Sequence, residues 1–289
     1  MRKRDRGTAF PPFKRYLGKV HVDIVYGDSV SKLGFRFALL LIDRATKYIW
    51  VYGLKNLLSS DMIGALEQFR ADAGGLPKEF RCDCNQNLLG GETRRWIYRN
   101  NSKINGAPAK RQSSNGLDER AWAAIPSMVR ACLTEKQMPQ DYWFHAAQHA
   151  CQMMNQIPSK VNGKLTTSFE LVHHVPPDTR TWFPLFSIVF FHKKSDEDQD
   201  RTSFQSKAMI GIAVGRSTKT NALSVYNPTT KKYYEPDTYN YKFDPSHLPC
   251  NKFPSRIHYD GGLVAGLYCH IHKNVPEPYP KCSLDCLMP

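Results

Sequence analysis

The sequence predicts an α/β domain built on a mixed central sheet, followed by a small β-barrel. Three observations lead there. Three apolar segments follow one another closely between residues 19 and 54. The hydrophobic period then changes, and helical and strand patterns alternate up to Pro158, which is the order of a mixed sheet covered by helices on both faces. Beyond Pro158 come short strands at regular spacing, separated by turn residues, the pattern of a small barrel.

Taken in order, KVHVDIVYGD (19–28) alternates Val20, Val22 and Ile24 with polar positions and reads as a strand. FRFALLLID (35–43) is nearly all apolar, as a strand buried on both faces should be. KYIWVYGL (47–54) is aromatic and β-branched, a third strand. In SSDMIGALEQFRADAGG (59–75), Met62, Leu66 and Phe69 fall three and four apart. That segment predicts a helix capped by Ser59 or Ser60 and ended by Gly74-Gly75. KEFRCD (78–83) is a short strand, GGETRRWIYRN (90–100) a short helix and KINGAPAK (103–110) a further strand. A helix opens at Asn115-Gly116, and DYWFHAAQHACQMMNQIP (141–158) makes another, stopped by Pro158. FSIVFFHKK, AMIGIAVGR, NALSVYN and KKYYEP supply the barrel strands. The expected divisions are a flexible basic lead-in over 1–18, an α/β core over 19–160, a connector with the first barrel strand over 161–203, the rest of the barrel over 204–245 and an irregular tail over 246–289.

Composition narrows the function. The 289-residue chain is 41% hydrophobic, enough for a packed core, and carries a formal net charge of +14. Such an excess suits a polyanion, because Lys and Arg that neutralise phosphates release counterions. No run reaches the length of a membrane span, and the N-terminus lacks the apolar core of a signal peptide. The eight cysteines do not read as a disulfide scaffold in a chain this long. Cys250, Cys269, Cys282 and Cys286 with His270 and His272 match no strong zinc template, so no zinc site is predicted. The five tryptophans, Trp50, Trp96, Trp122, Trp143 and Trp182, read as core or domain-interface anchors.

Three acids stand out. Asp23 breaks an apolar strand, Asp83 ends one, and Glu119 begins a helix, with thirty-five residues between the last two. Strand ends and helix starts are where an α/β sheet assembles a site. Converging carboxylates repel one another and make sense around divalent cations, which in pairs about 4 Å apart can drive phosphoryl transfer; oxygen ligands favour hard ions such as Mg²⁺. Asp118 rivals Glu119, and because adjacent helical residues point about 100° apart, both would not ligate one ion. Leu117, Ala121, Ile125, Met128 and Cys132 form a stripe expected to face the core, with Glu119 about 200° from Leu117. Lys103, Lys110, Arg111 and Arg120 surround the third acid in sequence and would hold phosphates.

These segments together resemble the integrase of copia-type retrotransposons, within the retroviral-integrase-like superfamily of ribonuclease-H-like folds. The likeness covers about residues 18–245. It runs through HVDIVYG, the strand pair LLLIDRATKYIWVYGL, FRCD, QSSNGLDERAW, the Trp- and Asn-bearing DYWFHAAQHACQMMNQIP, the connector TTSFELVHHVPP and the barrel segment KAMIGIAVGRSTKTNALSVYNPTTKKYY. The resemblance implies that Asp23, Asp83 and Glu119 are both the catalytic residues and the ligands of two Mg²⁺ or Mn²⁺ ions. It takes Glu119 over Asp118. Gln112, Asn115 and Gly116 would shape the approach to the third acid, and Arg120 would contact phosphate. The activity implied is metal-dependent DNA strand transfer, with element ends and target DNA as partners, in a homo-oligomer in the nucleus.

The pattern also has departures. CNQNLL separates Asp83 from GGE, Ala123 stands where relatives carry a basic residue, and Pro126 lies inside the third helix, where it is expected to kink or weaken it. The upstream histidine/cysteine zinc module of the family is not expected in this sequence. The alternative reading is a catalytically decayed integrase fragment that only binds nucleic acid or supports assembly.

Overall fold

The computed structural model describes residues 15–82, 90–106, 116–161, 163–192, 208–217, 220–236, 240–244 and 247–252. β1 (Lys19–Tyr26), β2 (Phe37–Asp43) and β3 (Ile49–Leu54) form an antiparallel meander. α1 (Ser59–Asp72) carries the chain across to β4 (Glu79–Cys82), which pairs parallel with β1. α2 (Gly91–Arg99) then leads to β5 (Lys103–Gly106), parallel to β4. The resulting order, β3-β2-β1-β4-β5, makes the mixed sheet that the sequence led us to expect. Two longer helices follow, α3 (Gly116–Glu135) and α4 (Trp143–Gln156).

The period-2 alternation sends alternate side chains to opposite faces, and each face has its own cover. Val20, Val22 and Ile24 of β1 join Leu39 and Leu41 of β2 in a core closed by Met62, Leu66 and Phe69 of α1 and Ile97 of α2. On the reverse face, Leu40, Ile42 and Ile49 meet Ile125 of α3 and Cys151 of α4, with Val25 packed alongside. The expected serine cap of α1 is not used: Leu58 is the N-cap residue, and no side chain caps the helix. The chain turns straight from an extended residue into the helix, leaving Ser59 inside its first turn.

Two polar devices fix the strands. The carboxylate of Asp43 at the end of β2 is fully buried. It accepts hydrogen bonds from the Leu17 and Thr46 backbone N–H groups at 3.1 and 2.8 Å and from the Thr46 hydroxyl at 2.8 Å. Burial pushes its pKa up while those donors oppose the rise. Asn155 near the end of α4 clamps β3, its Oδ1 accepting from Ile49 N–H and its Nδ2 donating to Ile49 C=O, both at 2.8 Å.

The region after Pro158 holds more structure than its proline content suggested. A two-stranded hairpin, β6 (Ser159–Val161) and β7 (Lys164–Thr166), precedes α5 (Ser168–His173). Thr167 caps α5 by accepting from the Glu170 N–H at 3.0 Å. β8 (Ile188–His192), β9 (Ala208–Arg216), β10 (Leu223–Asn227), β11 (Lys232–Tyr234) and β12 (Tyr241–Asp244) then build a second, antiparallel sheet in the order β11-β10-β9-β8-β12. Its described ladders make an open five-stranded sheet; none joins β11 to β12. A short α6 (Pro249–Lys252) ends the described chain.

α4 lies between the two sheets. Its Trp143, Phe144, Ala146 and Ala147 share one apolar cluster with Phe186, Ile188, Val189, Ile212 and Val225. His145 and His149 also turn into this layer: His145 stacks on the Tyr233 ring at 6.0 Å, and His149 meets Phe183 edge-on at 5.1 Å. Neither Nδ1 has a hydrogen-bond partner among the described residues. No helix among the described residues is long and apolar enough to cross a membrane.

Burial holds both histidines neutral, pushing each down to about 4 from an ordinary 6.5. The unfolded chain therefore binds protons at these sites below pH 6.5 that the folded chain refuses until about pH 4. Their neutral burial costs nothing extra above pH 6.5, and stability falls as pH drops from 6.5 toward 4, by at most about 1.4 kcal/mol per pH unit for each histidine. Urea unfolding at pH 7 and pH 5 is expected to show this loss. A His145→Gln/His149→Gln double variant should lose less over the same interval, and an identical loss would contradict the assignment.

Candidate active site

Asp23 lies in the middle of β1, half-buried. Its cross-strand partner in the ladder is Leu40, which packs with Ile125 of α3. Asp23 thus occupies the sheet face that α3 and α4 cover. Its Oδ1 accepts the Ile24 backbone N–H at 2.8 Å, which fixes the carboxylate against its own strand.

The parallel ladder bears on the second acid. Val22, the residue before Asp23, pairs with Cys82, the residue before Asp83. Asp83 lies outside the described residues, as do Lys110, Arg111, Gln112 and Asn115. Glu119 and Arg120 belong to the first turns of α3, with Asp118 beside them and Gly116 opening the helix; only their backbones are described. Lys103 begins β5 and is exposed, its N–H bonded to the Lys78 carbonyl at 3.1 Å. Among the described residues no group of three His, Cys, Asp or Glu side chains is placed to hold a metal ion. Cys269, Cys282, Cys286, His270 and His272 lie outside the described residues.

Gly27 and Trp143 hold the turn after β1, a role the sequence did not assign to Gly27 and gave to Trp143 only as a general anchor. The Trp143 indole packs flat on Gly27, so that a Cβ there would come within 2.5 Å of the ring. Its Nε1–H donates to the Ser29 carbonyl at 2.9 Å. The sequence signal was present in the small residue of DIVYG, but its partner lies more than a hundred residues away. Trp50 and Trp143 are core residues as expected. Trp182, by contrast, is 40% exposed and anchors the connector by donating to Gln156 Oε1 at 2.5 Å. Trp122 falls in α3, its side chain among those not described.

α3 departs from expectation in two ways. Its packing stripe is Ile125, Val129, Cys132 and Leu133, displaced from the predicted line through Met128, because the helix must fill the reverse sheet face at one end and the second-sheet cluster at the other. It also runs unbroken through Pro126. The Ser127 hydroxyl donates to the Ala123 carbonyl at 3.1 Å, supplying a side-chain donor next to the carbonyl that proline leaves without its usual N–H.

No family model matches the chain. A curated relative, the retrovirus-related Pol polyprotein from transposon TNT 1-94 of Nicotiana tabacum, is 23% identical over 236 residues. The match takes in 73% of this chain and 16% of that polyprotein, so the chain spans about a sixth of the relative's length. The similarity is to a transposon polyprotein, in line with the resemblance drawn from the sequence. Solved structures similar to this chain include the HTLV-2 integrase catalytic core domain in complex with magnesium, at 19% identity and TM-score 0.42 over 54% of this chain and 95% of that one. Another is a simian T-cell lymphotropic virus intasome, at 16% identity and TM-score 0.45 over 83% of this chain and 78% of that one.

The continuity of α3 yields a test of the proline. Replacing Pro126 by Ala restores a helical N–H in an already helical backbone and removes the ring clash, so Pro126→Ala is expected to raise the unfolding free energy by about 1–3 kcal/mol. Urea denaturation reads it; a destabilised variant would show that α3 depends on the proline.

Proposed function

We propose that the chain is a metal-dependent polynucleotidyl transferase that joins DNA 3′ ends to target DNA, with Asp23, Asp83 and Glu119 as its catalytic carboxylates. The observation that carries this reading is the β1–β4 register, in which Val22 faces Cys82, together with the helix that contains Glu119 packing on the face that carries Asp23. The strand that carries Asp23 is thereby beside the strand that leads to Asp83, and the helix that contains Glu119 packs on that same sheet.

The donor chemistry fits a divalent cation: carboxylate oxygens are hard ligands, suited to Mg²⁺ or Mn²⁺ and poorly suited to softer metals. Two such ions, held by the three acids, would activate the attacking oxygen and stabilise the leaving one. The protein's own part is placement. Asp23 is oriented by the Ile24 N–H, its strand is pinned by the buried Asp43 network, and the turn beyond it is held by Trp143. A site assembled on strands and a packed helix gives the positional rigidity that in-line transfer between two DNA segments demands.

DNA as partner is supported by the net charge of +14. Lys103, Lys110, Arg111, Gln112, Asn115 and Arg120 are the proposed contacts around the third acid. A homo-oligomer acting in the nucleus belongs to the same proposal. The decayed-fragment alternative keeps DNA binding without joining.

Purified full chain, labelled terminal-repeat DNA and Mn²⁺ are expected to give joined products longer than the substrate. Asp23→Asn, Asp83→Asn and Glu119→Gln should each lower joining at least a hundredfold (roughly 3 kcal/mol of transition-state stabilisation) while leaving DNA affinity within about twofold. Wild-type protein that binds this DNA and joins none, alongside an intact relative that succeeds, would establish the binding-only alternative.

A further inference from the structure

The outer face of α2 carries a charge pattern that the helix's own stability does not explain. Thr93 and Ile97 are buried, Ile97 in the sheet core. Arg94, Arg95, Tyr98 and Arg99 are exposed and, with Gly90 and Gly91, line an open groove of about 500 Å³. Arg94 and Arg95 lie in the N-terminal half of the helix, where the backbone dipole disfavours cations. Arg95 and Arg99 are four residues apart, a spacing at which like charges repel.

The only acid in the helix is Glu92, which pairs with Arg95. The Arg94 guanidinium lies over the Tyr98 ring, 5.5 Å from its centroid, and a guanidinium held this way keeps N–H donors available for planar acceptors. Arg99 has no carboxylate partner among the described residues. The sequence therefore accepts repulsion within a short helix to present three guanidinium groups around one groove.

We propose that this arginine face is a docking surface for the phosphate backbone of duplex DNA, separate from the catalytic carboxylates and independent of metal. Only the identity of the polyanion rests on the function proposed above. Phosphate fits better than an acidic protein because Tyr98 is the groove's single large apolar side chain, whereas protein interfaces are built around desolvated apolar centres. Arginine also recognises phosphate bidentately, and the two glycines leave the groove's lip without side chains.

The placement is useful as well. The C-terminal end of α2 is tied to the start of β4 through the Ser102 hydroxyl, which donates to the Pro77 carbonyl at 2.6 Å. Its N-terminal end, with Arg94 and Arg95, therefore extends toward the edge where the parallel strands β1 and β4 finish. A duplex lying across that edge would meet α2 on one side of the sheet and the face of Asp23 on the other.

The test is fluorescence anisotropy of full-length protein on a labelled duplex without terminal-repeat sequence, in EDTA, across a sodium chloride series. The slope of log affinity against log salt is expected to shrink by about 0.9 for each phosphate no longer neutralised, about 2 to 3 in all for Arg94→Gln/Arg95→Gln/Arg99→Gln. The triple lysine variant should keep most of the slope, and Glu92→Gln should steepen it. Neither of those variants removes positive charge, so both report even if the glutamine variant folds poorly.

An unchanged slope in the folded glutamine variant would overturn the proposal, as would a flat response to Glu92→Gln. Polyglutamate that displaces the duplex at equal charge, through the same arginines, would assign the face to an acidic protein instead. Glu119→Gln should leave the slope unaltered. Wild-type protein that joins no DNA while the arginine effect is intact counts against the catalytic reading alone, and joining with no arginine effect counts against the docking surface alone.

Discussion

α4 is buried on two sides, and the other elements take their places from it. A helix apolar around most of its circumference has no stable position at a surface; it needs a layer on each side. One side of α4 delivers Cys151 to the reverse face of the first sheet and Asn155 to the Ile49 backbone. The other delivers Trp143, Phe144, Ala146 and Ala147 to the cluster shared with β8, β9 and β10. The second sheet is thus part of the helix's burial, and His145 and His149 are caught in the same layer as neutral groups.

That arrangement reaches the candidate site through short, rigid steps. The N-terminal residue of α4 is Trp143, whose ring fills the space left by Gly27 just after β1. β1 presents Asp23 on the face under α3. At the other end of the first hairpin, the buried Asp43 collects donors from Leu17 and Thr46, so the beginning of β1 and the β2–β3 turn cannot move independently. A buried carboxylate costs heavily unless its lone pairs are taken, and here the donors come from the segments that need holding.

The first sheet was legible in the sequence because each strand announces itself locally. Alternation in VHVDIVY, continuous apolarity in FALLLID and aromatic, β-branched content in IWVYGL each follow from which faces are covered. What was not legible depends on distance. The predicted serine cap of α1 failed because capping is a matter of one backbone turn that propensity cannot fix. The α3 stripe moved from Met128 to Val129 and Leu133 because the helix serves two different surfaces along its length, which no single period describes. α5 and the β6–β7 hairpin were hidden in a proline-containing segment, and β12 gave no period of its own; it is a strand because β8 offers it an edge. For the proposed site, the three acids were proposed from their setting in strand and helix, whereas the Gly27–Trp143 contact and the arginine face of α2 required the fold.

Convergence of the three acids on divalent metal is open to direct observation. Crystals of the full chain soaked in Mn²⁺, with data collected for manganese anomalous scattering, should show one or two peaks in contact with the carboxylates of Asp23, Asp83 and Glu119, separated by about 4 Å where two are present. Saturating Mn²⁺ with no anomalous peak at Asp23, in crystals where all three carboxylates are ordered and turned apart, would contradict the account.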